Sequence, residues 1–224
     1  MTTTLLAPVR DFAAARDMMV DGQLRPSKVT DTRILEAMRR LRREDFVPPA
    51  LAGQAYIDAD LQVAPGRYLL KPLVIARLVQ LARPRAGETA LVVGAGTGYG
   101  AALLAACGVH VTALEEDAAL MSVARAATAG LERMSFIEGR LAAGYAEHAP
   151  YDLVLIEGAV RAIPEALGRQ VGENGRLVTV LWPVGEASAA VLAEPSTGGV
   201  RAQAEFDAGA PLLAPLVPAP EFTF

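Results

Sequence analysis

Thr89-Ala90-Leu91-Val92-Val93-Gly94-Ala95-Gly96-Thr97-Gly98-Tyr99-Gly100 decides how this chain is read. It begins as an unbroken apolar run, the pattern of a strand buried on both faces of a parallel sheet. It then passes through alternating glycines into an apolar segment, Ala101-Ala102-Leu103-Leu104-Ala105-Ala106. Glycine takes positive φ at little steric cost and lets a ligand come close to the backbone. The unpaired N–H groups of a new helix face whatever lies in the turn. Strand, tight turn and helix N-terminus in this order predict a cradle for a nucleotide-type ligand, rimmed by Gly94, Ala95, Gly96 and Gly98.

An acid follows at the right distance. His110-Val111-Thr112-Ala113-Leu114 reads as the second strand, and Glu115 stands at its carboxyl end, 21 residues beyond Gly94. An acid about 20 residues on holds ribose hydroxyls in nucleotide-binding sheets, and a carboxylate accepts two hydrogen bonds from a vicinal diol. Glu116 adjoins it, while Asp117 suits the start of the next helix, where negative charge complements the macrodipole. The dinucleotide fingerprint G-x-G-x-x-G/A fits poorly. Started at Gly96 it lies too far past the strand; started at Gly94 it puts Tyr99 where a small residue is needed.

The 224 residues are 52% hydrophobic, enough for one substantial core. A net charge of −4 gives no global field for nucleic acid. The local cluster Arg39, Arg40, Arg42 and Arg43 reads as a solvated helix end. The single cysteine, Cys107, excludes an intrachain disulfide and a cysteine zinc cluster, and two histidines far apart argue against a metal site. No signal segment and no run of 18 apolar residues is seen, which predicts a cytoplasmic protein without a membrane span.

Residues 1 to about 10 read as a loose arm. Phe12–Val20 predicts a short helix broken at Gln23-Leu24-Arg25-Pro26. Thr30 or Asp31 caps a second helix with Ile34, Leu35, Met38 and Leu41 on one face. Tyr56–Ala64 reads as extended or irregular, and Pro72 opens a third helix carrying Val74, Leu78 and Leu81. From Thr89 strands and helices alternate, which predicts a mostly parallel sheet with helices on both faces. Asp117–Ala129 is a helix, Met134–Ile137 and Asp152–Ile156 are strands, Pro164–Gln170 is a helix and Arg176–Trp182 the fifth strand. Ala189–Ala193 and Val200–Phe206 suggest an antiparallel hairpin, and Pro211–Pro220 is mostly irregular. Residues 1–85 form an N-terminal helical and substrate-side region, and 86–224 the ligand-binding core, together one compact unit.

The chain resembles the protein-L-isoaspartate O-methyltransferases, from about Met18 to Pro183. Gly94-Ala95-Gly96-Thr97-Gly98-Tyr99 is similar to their S-adenosylmethionine (SAM) motif, tyrosine included. Met19-Val20, Gln23-Leu24, Asp31, Leu35, Met38, Arg43-Glu44-x-Phe46-Val47-Pro48 and Ala55-Tyr56-x-Asp58 resemble the more specific N-terminal motifs. Ala149-Pro150-Tyr151-Asp152, Asn174-Gly175-Arg176-Leu177-Val178 and Pro183-Val184-Gly185 resemble the motifs of the fourth and fifth strands. The resemblance implies a Rossmann-like SAM-dependent methyltransferase sheet of seven strands, the last antiparallel, plus an N-terminal helical region. It implies SAM as cofactor and S-adenosyl-L-homocysteine as product, with Gly94, Ala95, Gly96, Gly98, Tyr99, Glu115, Glu116, Arg140 and Leu141 at the cofactor. The implied reaction methylates the carboxylate of L-isoaspartyl residues in a damaged protein or peptide.

Three departures stand out. Where the family reads Gly-Gln-Thr-Ile-Ser-x-Pro, this chain has Gly66-Arg67-Tyr68-Leu69-Leu70-Lys71-Pro72, so the positions beside the reacting carboxylate are Tyr68, Leu70 and Lys71. Where the family has Gly-Asp-Gly after the third strand, this chain has Gly139-Arg140-Leu141. Glu157 replaces a small polar residue at the end of the fourth strand. Arg67 and Lys71 read as surface groups or as donors to an anionic substrate; Glu157 reads as a solvated strand end or as a substrate residue with Asp58 and Arg67. Two alternatives stay open: a methyltransferase of this fold with another, small-molecule substrate, and a SAM-binding module without catalysis. An NAD-dependent oxidoreductase fits least.

Overall fold

A computed structural model describes residues 11–217; the arm read at residues 1–10 lies outside them. Helix α1, Phe12–Met18, is capped by Asp11, whose side chain accepts the Ala14 N–H at 2.9 Å. The expected break after it is absent. The helix widens into a π-type turn over Met19–Leu24 and a 3-10 turn over Arg25–Ser27. Met19, Val20 and Leu24 are buried there, and their burial carries the coil past Pro26. Proline is tolerated in a first turn, and the stop comes at Lys28, left-handed at φ 68°.

Helix α2, Thr32–Arg40, starts on Asp31, which accepts the Arg33 N–H at 2.9 Å, and buries Ile34, Leu35, Ala37 and Met38. Strand β1, Leu61–Ala64, pairs antiparallel with β2, Arg67–Leu69, in a hairpin turned at Gly66. The sequence showed no alternation there long enough to predict it. Helix α3, Pro72–Ala82, carries Pro72 in its first turn and buries Val74, Ile75, Leu78 and Val79.

The core sheet follows: β3 Thr89–Val93, α4 Tyr99–Ala106, β4 His110–Glu115, α5 Ala118–Ala127, β5 Met134–Glu138, β6 Tyr151–Val160, α6 Glu165–Gly168, β7 Val171–Leu181, β8 Ala189–Ser196 and β9 Gly199–Asp207. Its order is β5-β4-β3-β6-β7-β8-β9. Pairs from β5 to β7 are parallel, and the last two are antiparallel. The antiparallel strand is therefore β8, not the last. Two residues, Thr197 and Gly198, separate β8 from β9; so short a connection joins only antiparallel neighbours. Buried side chains of α2, α3 and α4 share one core with the sheet face carrying Val92 and Leu155. Leu91, Val93, Val154 and Ile156 face the other core, with Leu141, Leu167 and Leu213.

Candidate active site

β3 and β6 are neighbours from which the sheet grows in opposite directions, and open α/β sheets bind ligands outside the carboxyl ends of their strands at such a switch point. The turn after β3 supplies the backbone of a cradle. Gly94, Gly96 and Gly98 take φ of 72°, 56° and 91°, a region that strains any L side chain. A Cβ on Gly98 would lie 3.0 Å from that of Ala124, so this glycine lets α5 pack on the turn. A Cβ on Gly96 would meet nothing nearer than the Gly94 carbonyl at 3.9 Å, so this side stands open.

Glu115 ends β4 beside the turn and is almost fully buried. It accepts the backbone N–H groups of Gly96 at 2.8 Å, Glu116 at 2.9 Å and Asp117 at 3.1 Å. Asp117 itself caps α5, as expected. Arg67 of β2 closes the remaining side with a bidentate pair, Nη1 to Oε1 at 2.6 Å and Nη2 to Oε2. The surface reading of Arg67 is thus corrected. The β1–β2 hairpin folds over the strand ends, and a buried guanidinium there must meet a carboxylate.

A second piece of the chain enters the crevice. The Ala159 N–H donates to the Pro211 carbonyl and the Leu213 N–H to the Ala159 carbonyl, each at 2.8 Å. These bonds strap residues 211–213 along β6. Leu213 Cδ2 lies 2.7 Å from where a Cβ on Gly94 would stand, so its side chain fills the space that glycine leaves. The region expected to be irregular therefore helps build the site.

On the substrate side, β6 carries two extra residues between Leu155 and Ala159 relative to β7. Such a bulge re-aims side chains, and it turns Glu157 inward. Glu157 is buried, not a solvated strand end. Burial raises its carboxyl to about 8, against the Gly100 N–H, Arg43 and Arg67, which favour the charged form. Its Oε2 has no hydrogen-bond partner among the described residues. Gly100 gives it room, since a Cβ there would stand 2.5 Å from Oε2. Gly66, Arg67, Tyr68, Leu70, Glu157, Gly158 and the strap enclose a cavity of only about 10 Å³.

Leu70 is buried and Tyr68 and Lys71 half-buried. Lys71 is placed by its N–H, which donates to Asp60 Oδ1 at 2.8 Å. Asp58, expected at the substrate, is exposed in a bend and does not line that cavity. The solvated reading of Arg43 also fails. It is fully buried, donating to the Ala55 carbonyl at 2.6 Å and to the Leu70 carbonyl, with its guanidinium 4.8 Å from the centre of the Tyr99 ring. Tyr99 packs edge-on against Phe46 at 5.1 Å, so its side chain belongs to the core and only its backbone remains near the turn. Across the crevice the Gly139 N–H donates to the Glu115 carbonyl at 3.0 Å, setting the third-strand end beside the acid. Leu141 is buried there, and Arg140 is exposed.

The donor set fits an adenosyl cofactor: an open glycine backbone, a carboxylate held by three N–H groups, and apolar Leu141 beside it. Arg67 and Leu213 stand in the same space, so binding requires them to yield. Among the described residues no group of three side chains is set to hold a metal ion, and no helix is long and apolar enough to cross a membrane. Sequence alone marks neither Asp60 nor Leu213; Arg43 lies in the motif-like stretch Arg43-Glu44-x-Phe46-Val47-Pro48, whereas Leu213 has only the apolar pair Leu212-Leu213 after the last strand.

Comparison with known proteins agrees with this geometry. Residues 15–200 match the model of the family described as Protein-L-isoaspartate(D-aspartate) O-methyltransferase. The protein-L-isoaspartate O-methyltransferase of Methylorubrum extorquens (strain PA1) is 44% identical over 80% of this chain and 78% of its own. That of Koribacter versatilis (strain Ellin345) is 38% identical over 78% of each. A solved protein-L-isoaspartate O-methyltransferase shares the fold at TM-score 0.74 and 22% identity, over 88% of this chain and 65% of its own length. A Plasmodium falciparum structure described under the same activity, in complex with S-adenosyl-L-homocysteine, does so at TM-score 0.72 and 16% identity, over 92% of this chain and 99% of its own. Sequence motifs, sheet order and family match converge: the chain belongs to the protein-L-isoaspartate(D-aspartate) O-methyltransferase family.

Proposed function

We propose that this chain is a cytoplasmic SAM-dependent methyltransferase that esterifies the carboxylate of L-isoaspartyl residues in damaged proteins or peptides. The observation that carries the reading is the Glu115 carboxylate, held by the Gly96, Glu116 and Asp117 N–H groups beside an open glycine turn. Gly94, Ala95, Gly96 and Gly98 would hold the cofactor through backbone, Glu115 and Glu116 its ribose, and Leu141 its adenine, with Arg140 at the rim. The bound cofactor supplies an electrophilic methyl on a cationic sulfur.

The chain's own part is orientation and dehydration. A carboxylate is already ionised at neutral pH and needs no general base. It has to be aimed and stripped of water. Leu70 can donate nothing, so Tyr68 and Lys71 orient the acceptor. Arg43 fixes the Leu70 carbonyl and with it the segment's backbone. The buried apolar Leu70 also favours a second reading, the same methyl transfer to a different, small acceptor.

Labelled-methyl transfer to an isoaspartyl peptide, with the aspartyl isomer as control, tests the proposal. Isoaspartyl methylation above the control is expected, rising in Leu70→Ser with Tyr68→Thr for space. Cofactor product bound by both proteins, with neither peptide methylated by either, would transfer the assignment to the second reading.

A further inference from the structure

Glu115 receives five hydrogen bonds, three from backbone and two from Arg67. A carboxylate has about four lone-pair sites, so none is left for a ribose diol. The three N–H groups belong to the glycine turn and the start of α5 and cannot leave without unmaking them. Arg67 is the partner that can go. It stands on the two-stranded β1–β2 hairpin, which is not hydrogen-bonded into the main sheet.

A guanidinium buried at this depth cannot be left without a counter-charge. Glu157 lines the same small cavity as Arg67, buried, with Oε2 unpartnered among the described residues. The groups facing Glu157 are Arg43 before the hairpin, Tyr99 on α4, Arg67 on β2 and Glu115 on β4. Apolar Ile75 of α3 flanks the same space over Gly100, and Pro211, Leu212 and Leu213 of the strap line the same cavity. Arg43 is committed to the Ala55 and Leu70 carbonyls.

We propose that Arg67 is a latch on the cofactor site: it yields Glu115 to the cofactor's ribose and pairs instead with Glu157. The proposal rests on reading the crevice as a cofactor site. Before the exchange Glu157 is protonated at neutral pH, since burial holds its carboxyl near 8. Arrival of the guanidinium favours the carboxylate, so the proton leaves to solvent as the new pair forms. The released proton conserves charge: the site passes from net zero to one negative charge, which Glu115 carries against the diol and its three N–H groups. A cofactor that fails to offer a diol leaves the latch shut, which makes Arg67 a selector for the ribose.

Calorimetric titration of the full chain with S-adenosyl-L-homocysteine at about pH 7, in buffers of different ionisation enthalpy, reads both affinity and proton release. Wild type should release nearly one proton per ligand bound. Arg67→Gln should bind about tenfold tighter with no release, and Arg67→Lys, which holds Glu115 by one bond, should fall between. Glu157→Gln should bind about tenfold weaker, also with no release. The double variant should bind like Arg67→Gln alone, because Glu157 acts only through Arg67. Proton-free binding by wild type together with unchanged affinity in Glu157→Gln overturns the latch. So does equal affinity of wild type and Arg67→Gln, which leaves the cofactor reading standing, or a Glu157→Gln effect that persists without Arg67. No binding by either wild type or a folded Arg67→Gln would take down the cofactor reading and the latch together.

Discussion

Replacing Glu157 by glutamine should remove most of the neutral-pH slope of this protein's stability. The free carboxyl titrates near 4.5, whereas burial in the β6 bulge lifts it to about 8. The folded chain thus holds a proton that the unfolded chain has already lost between those values. Stability from this group is complete below the unfolded value and drains away as pH rises through the folded one. At about 1.4 kcal/mol per tenfold change in proton affinity, the gap corresponds to on the order of 5 kcal/mol at its upper bound. Water entry and relaxation reduce that, and a few kcal/mol remains easy to read. Glutamine keeps the shape of the neutral acid and cannot ionise. Urea unfolding at about pH 5 should find variant and wild type within about 1 kcal/mol; at about pH 8.5 the variant should be the more stable. Asp60, also raised by burial, leaves a smaller slope of the same sign. Asp31 is lowered by its Arg33 pair and acts with the opposite sign at more acid pH. An equal slope in variant and wild type would refute the assignment of Glu157 as a buried neutral acid.

Gly100→Ala should destabilise by about 1–3 kcal/mol in chemical denaturation, although alanine is the better helix former, because its methyl would stand 2.5 Å from Glu157 Oε2 and 3.1 Å from Ile75 Cδ1. Arg43→Lys should cost about 3 kcal/mol or more, since an ammonium cannot reach both the Ala55 and Leu70 carbonyls, and a melt recorded beside wild type checks it. Leu213→Ala should lower stability by about 2–4 kcal/mol and yet tighten S-adenosyl-L-homocysteine binding in calorimetry, because it clears the space against Gly94.

The core of this fold was legible because its signals are local. Val92-Val93-Gly94 and Leu114-Glu115 announce two buried strands and their ends, and period and capping placed α5 on Asp117 and α2 on Thr30 or Asp31, of which Asp31 is the cap. The hairpin β8–β9 was equally plain. What sequence hid was partnership across distance. Arg67 and Glu115 are 48 residues apart, and no local pattern pairs them. Arg43 looked like one of four surface arginines, yet the carbonyls of Ala55, before β1, and Leu70, after β2, fold over it to take its hydrogen bonds. Glu157 could be read as solvated or as a substrate residue, because a bulge in the middle of a parallel strand leaves no mark in hydropathy. The strap at Pro211–Leu213 gains its meaning only from the Gly94 backbone beneath it.

One competition tests the proposed isoaspartyl activity directly. Equal amounts of an isoaspartyl peptide and its aspartyl isomer are incubated with SAM and the full chain, and methyl ester on each is read by mass spectrometry over time. Ester is expected on the isoaspartyl peptide, slow in wild type because Leu70 cannot donate to the carboxylate, and faster in Leu70→Ser. Equal methylation of both peptides, or none on either in wild type and in the serine variant, would contradict it.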